Sequence, residues 1–224
     1  MLDILYEDNH CLAVNKPAGL LSQGDVTGEP TLLDAAREYL KTKYAKPGNV
    51  FVGPVHRLDR PSSGVVLLSR TSKAAARLSE QFREATVQKV YWAVVEGECQ
   101  ADEGEWSDRL RKDEGRNVVE VVAPGVPGGR DASLAFHVLG RARGRSWVEV
   151  RPVTGRSHQI RVQLASRGLP IVGDRKYGAR TALTALDGKP RVALHAYRLT
   201  FSHPTRREAI TLTAGVPGDW PWRG

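Results

Sequence analysis

The chain has 224 residues, 41% hydrophobic and 26% charged, with a net charge of +8. This composition fits a soluble globular protein, either one large domain or two packed subdomains sharing a core, and excludes a disordered or fibrous chain. No window approaches the roughly eighteen uninterrupted apolar residues of a membrane span, and no basic segment followed by an apolar run opens the chain, so neither anchor nor secretory signal is expected.

In chain order, two short strands are expected at Ile4 to Glu7 and Cys11 to Asn15, joined by the polar turn Asp8-Asn9-His10. Lys16-Pro17-Ala18-Gly19 breaks that pattern. Thr31 reads as the N-cap of a helix running through about Tyr44, with Asp34 in its first turn. Strands follow at Val50 to Val55 and Gly64 to Ser69, and a helix from Ser72 to about Glu84 carries Ala75, Leu78 and Phe82 on one face. Gln88 to Glu96 has the β-branched and aromatic content of a strand. The charged, Gly/Pro-rich stretch 102–130 reads as a hairpin with a mobile connection and as the chain's flexible loop. Further strands are expected at Leu134 to Leu139, Ser146 to Val153, Arg191 to Phe201 and Ile210 to Thr213. More strands than helices, without regular alternation, predict an α+β fold: a mostly antiparallel mixed sheet with flanking helices.

The positive charge is concentrated. Residues 141–180 hold ten Arg/Lys against only Glu149 and Asp174, an excess that equals that of the whole chain. Such a region favours a polyanionic partner, because cations that meet phosphates release counterions. Cys11 and Cys99 have no metal-ligand spacing with the six histidines; ordinary thiols in a reducing cytoplasm are expected, and no metal site.

The segment His56-Arg57-Leu58-Asp59-Arg60-Pro61-Ser62-Ser63-Gly64 lies between two strand-like runs, where loops present functional side chains. An aspartate among arginines suits a nucleophile or base better than an acid; a polar turn with a structural ion pair would look the same. The motif, with the apolar strand after it, resembles the catalytic motif of the RluA-type RNA pseudouridine synthases. Four further blocks carry the same resemblance: Ile4-Leu5-Tyr6-Glu7-Asp8 through Leu12 to Gly19; Lys89-Val90-Tyr91-Trp92-Ala93; Thr154 to Arg161 continuing to Asp174 and Tyr177-Gly178; and Leu194-His195-Ala196 with Leu199 to Pro204.

This resemblance implies a single catalytic domain over 1–224 with a central cleft, and an isomerase that moves uracil from nitrogen 1 to carbon 5 on its ribose. Asp59 would drive glycosidic cleavage, by attacking the anomeric carbon or by taking the 2′ proton. Tyr91 would stack on the base, Arg57 would fill the space it vacates, and His56 would shape the loop. Leu194 would wall the pocket. From composition alone Tyr91 and Leu194 read equally as core residues. No cofactor is implied, since an isomerisation needs none. The implied partner is structured RNA, ribosomal or transfer, met by a cytoplasmic monomer with no membrane and no obligate protein partner.

Helical spacing adds a separate argument. If Arg156 to Arg167 is a helix, Ile160, Val162, Leu164 and Ala165 mark an apolar arc that also contains Arg161, with His158 beside it. A guanidinium on a core-facing side needs an anionic partner unless it reaches out from the edge. Asp59 is the candidate, as the family pairing also implies. Asp174 reads as a turn residue, and Arg156, at the helix start, as a phosphate contact. Two other classes fit parts of this reading: an RNA-binding protein without catalysis, and a nucleoside or glycoside hydrolase, which would ordinarily need a second carboxylate.

Overall fold

Strand β1 (Asp3–Glu7) pairs antiparallel with β2 (Cys11–Lys16). Asp8 closes the turn between them by accepting from the backbone N–H groups of His10 and Cys11 at 2.8 and 2.7 Å. In the computed structural model, residues 2–24, 28–185 and 188–222 are described. The chain divides into two compact units: Met1–Lys89 with Ala196–Pro217, and Val90–His195 with Gly218–Gly224.

In the first unit, β2 pairs antiparallel with β4 (Ser63–Ser69), a strand buried along its whole length. The unit's strand order is β1-β2-β4-β10, where β10 is Leu194–Ser202 and β11 (Ala209–Thr213) pairs on its outer side. The strand expected at Val50 to Val55 shrinks to the two-residue β3 (Gly53–Pro54), whose one glycine and one proline offer little to a ladder. Helix α1 (Leu32–Lys43) starts as its sequence dictates: the Thr31 hydroxyl accepts from the Asp34 N–H and the Asp34 carboxylate accepts from the Thr31 N–H. Helix α2 (Ser72–Arg83) is capped by Thr71 and buries Ala74 and Leu78, while Phe82 is partly buried against the same core.

That core joins Cys11, Ala13, Val65, Leu67, Leu78, Phe201 and Leu212. A polar lock borders it. The His203 Nδ1 accepts the N–H groups of Thr205 and Arg206, so the ring donates from Nε2 to Asp8 at 2.6 Å. Asp8, Cys11 and His203 have ligand-type atoms within 4.8 Å of one another. The Nδ1 lone pair is nevertheless committed to the turn, and burial pushes the Cys11 thiol up to about 12. These are the properties of a structural clasp rather than a metal centre.

In the second unit the strand order is β5 (Gln88–Glu96), β9 (Arg145–Pro152), β8 (Arg130–Ala142), β6 (Glu103–Asp113) and β7 (Val118–Val122). Every one of these neighbouring pairs is antiparallel. The hairpin expected in stretch 102–130 is the β6–β7 pair, and the stretch is mostly strand rather than a flexible loop. Leu110 and Val119 are buried against Val162 of α3 (Gln159–Ala165), and that packing overrides the polar composition. The Gly/Pro run 123–129 forms tight turns into β8, with Val126 donating to Ala123 and Gly129 donating to Val126. The α+β class with mostly antiparallel strands stands as expected. Among the described residues no helix is long and apolar enough to cross a membrane.

Candidate active site

The loop carrying Asp59 is tied down at almost every residue. The Ser22 hydroxyl donates to the Leu58 carbonyl at 2.7 Å and accepts the Leu58 N–H at 3.1 Å. Gly19 N–H donates to the Arg60 carbonyl at 2.8 Å, and the Arg60 side chain returns a bond to the Gly19 carbonyl and an ion pair to Glu29. Ser62 N–H closes the turn on the Asp59 carbonyl. Gly64 then has to be glycine: with φ at +116° it passes so close to Ala196 that a Cβ would lie 2.3 Å from the Ala196 carbonyl oxygen.

Two side chains of the loop take opposite roles. The His56 Nε2 accepts the Leu67 N–H at 2.9 Å and its ring stacks on Phe82 at 4.5 Å. Burial, helped by the nearby Lys89 charge, pushes its pKa down to about 3, so the ring is neutral and fastens the loop to β4. Arg57 is exposed and Asp59 is partly buried.

Lys16 is the residue that the sequence reading passed over. It has no exposed surface, and its ammonium donates to the carbonyls of Pro17, Leu20 and Arg60 at 3.0, 2.8 and 3.3 Å. Burial lowers its pKa to about 7, against the opposing pull of the Asp59 charge. A lone lysine ending an apolar strand before Pro-Ala-Gly was the available signal.

The second unit carries the remaining candidates. Tyr91 lies on β5 opposite Val150, with Ala93 on the same face, and is partly buried; Leu194 begins β10 and is buried. Helix α3 is shorter than expected because His158 takes a left-handed conformation, φ +50°, so regular helix starts only at Gln159. The Gln159 side chain accepts from the Arg156 N–H and from the Thr154 hydroxyl and donates to the Ser133 carbonyl, which fixes the approach to the helix. Arg156 is exposed and its Nε donates to the Asp131 carbonyl.

Arg161 is buried, as its place on the apolar arc required, but the helix is buried on nearly every side, with Gln159 and Gln163 inside as well. Within its own unit Arg161 has a carboxylate partner: Nε and Nη2 donate to the two oxygens of Asp174 at 2.6 and 2.8 Å. The reading of Asp174 as a turn residue is thus too small. It does form the turn, accepting from the N–H groups of Tyr177 and Ala179, and it also neutralises a buried guanidinium. The Tyr177 ring lies 5.1 Å from the Arg161 guanidinium carbon, and its hydroxyl is 2.7 Å from His158 Nδ1. His158 and Arg161 are therefore brought together, through Tyr177, a residue noted in the sequence only as part of a motif.

The first unit thus presents a carboxylate loop tied down by its backbone, and the second a buried arginine paired with Asp174. A family model described as RNA pseudouridylate synthase matches residues 10–166. The chain is 38% identical over 223 residues to the dual-specificity RNA pseudouridine synthase RluA of Haemophilus influenzae, covering 95% of this chain and 92% of that protein. It is 37% identical over 213 residues to the ribosomal large subunit pseudouridine synthase C of Vibrio vulnificus, covering 94% of this chain and 64% of that one. Among solved structures, human RNA pseudouridylate synthase domain containing 4 superposes with a TM-score of 0.80 at 25% identity, covering 97% of this chain and 90% of that one. The chain belongs to the RNA pseudouridylate synthase family. Within it, the chain is an RluA-type enzyme, an isomerase that acts on RNA.

Proposed function

We propose that the enzyme isomerises particular uridines of ribosomal or transfer RNA, with Asp59 acting at the ribose. The supporting observation is the anchoring of the Asp59 loop: Ser22, Lys16 and Arg60 hold its backbone and His56 holds its start. A carboxylate that must meet one ribose carbon or its 2′ proton gains from such fixed placement. Either step breaks the N1–C1′ bond; the uracil turns and rejoins through carbon 5. No atom is gained or lost overall, so the reaction calls for no redox partner and no cofactor.

The remaining roles follow from chemistry. Arg161 is oriented by Asp174, and in this proposal it orients Asp59. Tyr91 stacks on the uracil, Leu194 walls the pocket, and exposed Arg57 fills the gap left by the flipped nucleotide, as enzymes working on bases must extrude their target. Exposed Arg156 and the neighbouring His158 bind the RNA. In this proposal the catalytic domain spans 1–224. Target choice falls to loops such as 17–30, of which residues 25–27 lie outside the described residues. The enzyme works in the cytoplasm as a monomer.

Asp59→Asn decides the central claim. It should abolish pseudouridine formation on a uridine-containing RNA while leaving RNA affinity within a few-fold. Retained turnover refutes the role of Asp59, and release of free uracil by the wild type would indicate a hydrolase instead.

A further inference from the structure

We propose that Tyr177 is a positioning residue: its hydroxyl fixes the tautomer of His158 while its ring face holds the Arg161 guanidinium. The inference rests on the placement of His158 and Arg161 in the RNA site proposed above.

The geometry begins with a conformational oddity. His158 sits in the left-handed region at φ +50°, a conformation that histidine, like asparagine and aspartate, adopts more readily than most side chains. Five other described non-glycine residues share that region, so the role of His158 rests on its contacts rather than on its backbone. What it does is visible: its Nδ1 lies 2.7 Å from the Tyr177 hydroxyl, with the two rings edge to face at 5.7 Å.

Tyr177 is itself held by three elements. Its oxygen accepts the Val119 N–H of β7 at 2.9 Å. Its backbone N–H donates to the Asp174 carbonyl at 3.0 Å. Its ring packs in the cluster of Leu110, Val119, Ala132 and Val162. A phenol has one proton to give. With a backbone donor already directed at the oxygen, that proton is directed at Nδ1. The neutral imidazole then carries its own proton on Nε2.

The same ring lies 5.1 Å from the Arg161 guanidinium carbon while Asp174 takes Nε and Nη2. The guanidinium is thus gripped through its donors by a carboxylate and against an aromatic face, which leaves it little freedom to rotate. One side chain thus sets the proton position of one group of the proposed site and the orientation of another.

The test uses the full-length protein labelled with ¹⁵N-histidine. The wild-type His158 signal, assigned by its loss in His158→Asn, should report a proton on Nε2. Tyr177→Phe keeps the ring and removes the hydroxyl, so this signal should shift toward the other tautomer. Turnover should fall about tenfold to a hundredfold, the scale of a misplaced group, with KM changed much less. The double variant Tyr177→Phe/His158→Asn should lose little beyond His158→Asn alone, since the hydroxyl acts through the imidazole. A tautomer unchanged in Tyr177→Phe, or losses that multiply in the double variant, would overturn the proposal. Should Tyr177→Phe fail to fold, the wild type alone decides: a His158 proton on Nδ1 overturns it. Absence of pseudouridine formation by the wild type would instead strike the proposed function, leaving the tautomer result to stand by itself.

Discussion

Lys16, which holds the Asp59 loop at the Arg60 carbonyl, and His56, which fastens its start, are desolvated bases, and each leaves a signature in a different pH window. The Lys16 pKa is lowered in the folded chain from 10.5 to about 7, by burial above all. Below pH 7 the lysine is protonated both folded and unfolded. Between 7 and 10.5 the unfolded chain keeps a proton that the folded one has released, so stability rises with pH. His56 is lowered from 6.5 to about 3 by burial and then by Lys89. Its contribution is complete above 6.5 and is lost as pH falls toward 3, because only the unfolded chain takes up the proton. Urea midpoints should therefore climb from pH 5 to 6.5, and again from 7 to 9. Lys16→Met should reduce the second climb, leaving what Lys89 adds, since burial lowers that lysine as well. His56→Gln, which keeps an acceptor for the Leu67 N–H, should reduce the first. Below about pH 4.5 Glu7 and Asp8, both held near 2, take over with the same sign. A Lys16→Met variant with the wild-type slope above pH 7 would mean that the ammonium is not desolvated. Lys16→Met should also cut turnover, because the Pro17, Leu20 and Arg60 carbonyls would lose their common donor.

Helix α3 shows at the level of an element what the sequence could and could not convey. Helices α1 and α2 were legible to within a residue, α1 from its Thr31 cap and α2 from the helical spacing of Ala75, Leu78 and Phe82. The start of α3 was not, since nothing in Arg156-Ser157-His158 marks a left-handed residue. The hairpin of β6 and β7 was legible, but not how much of 102–130 is strand: the stretch looks polar, and what holds it is packing against Val162 and Tyr177, distant in sequence. Of the site, the Asp59 loop could be read from its motif, and the burial of Arg161 from helical spacing. The carboxylate at position 174 was underestimated because a Gly-Asp pair already explains itself as a turn. Gly173 indeed carries φ +88°, and a Cβ there would lie 2.3 Å from the Arg191 carbonyl oxygen. The element-level prediction concerns this ion pair. Asp174→Asn leaves a buried guanidinium without its counter-charge and should cost about 3–5 kcal/mol in urea unfolding. Arg161→Met/Asp174→Leu, which removes both charges, should cost less than either single change. Equal or larger loss in the double variant would show that the pair supplies more than mutual neutralisation.

For the molecule as a whole, the charge map changes what the basic stretch 141–180 can do. Four of its ten cations are already matched: Arg141 with Asp102, Arg151 with Glu149, Arg161 with Asp174 and Arg167 with Asp108. Two of those acids, Asp102 and Asp108, lie outside the stretch, so its local excess overstates the charge available to a partner. Arg143, Arg156, Arg175, Lys176 and Arg180 remain exposed. Arg167 shows what a matched cation does: its guanidinium pairs with Asp108 and lies 4.3 Å above the Trp106 ring, a packing role. Counterion release turns this distinction into a measurement. Each phosphate neutralised contributes about 0.7–0.9 to the slope of log affinity against log salt. Arg156→Gln should weaken RNA binding and lower that slope by roughly one contact's share. Arg167→Gln should leave the slope unchanged, whatever it does to stability, because Asp108 already serves as its anion. A slope that Arg156→Gln does not move would remove Arg156 from the RNA interface. A slope that falls in Arg167→Gln would mean that RNA displaces Asp108 on binding, and that the basic stretch is freer than the unliganded chain suggests.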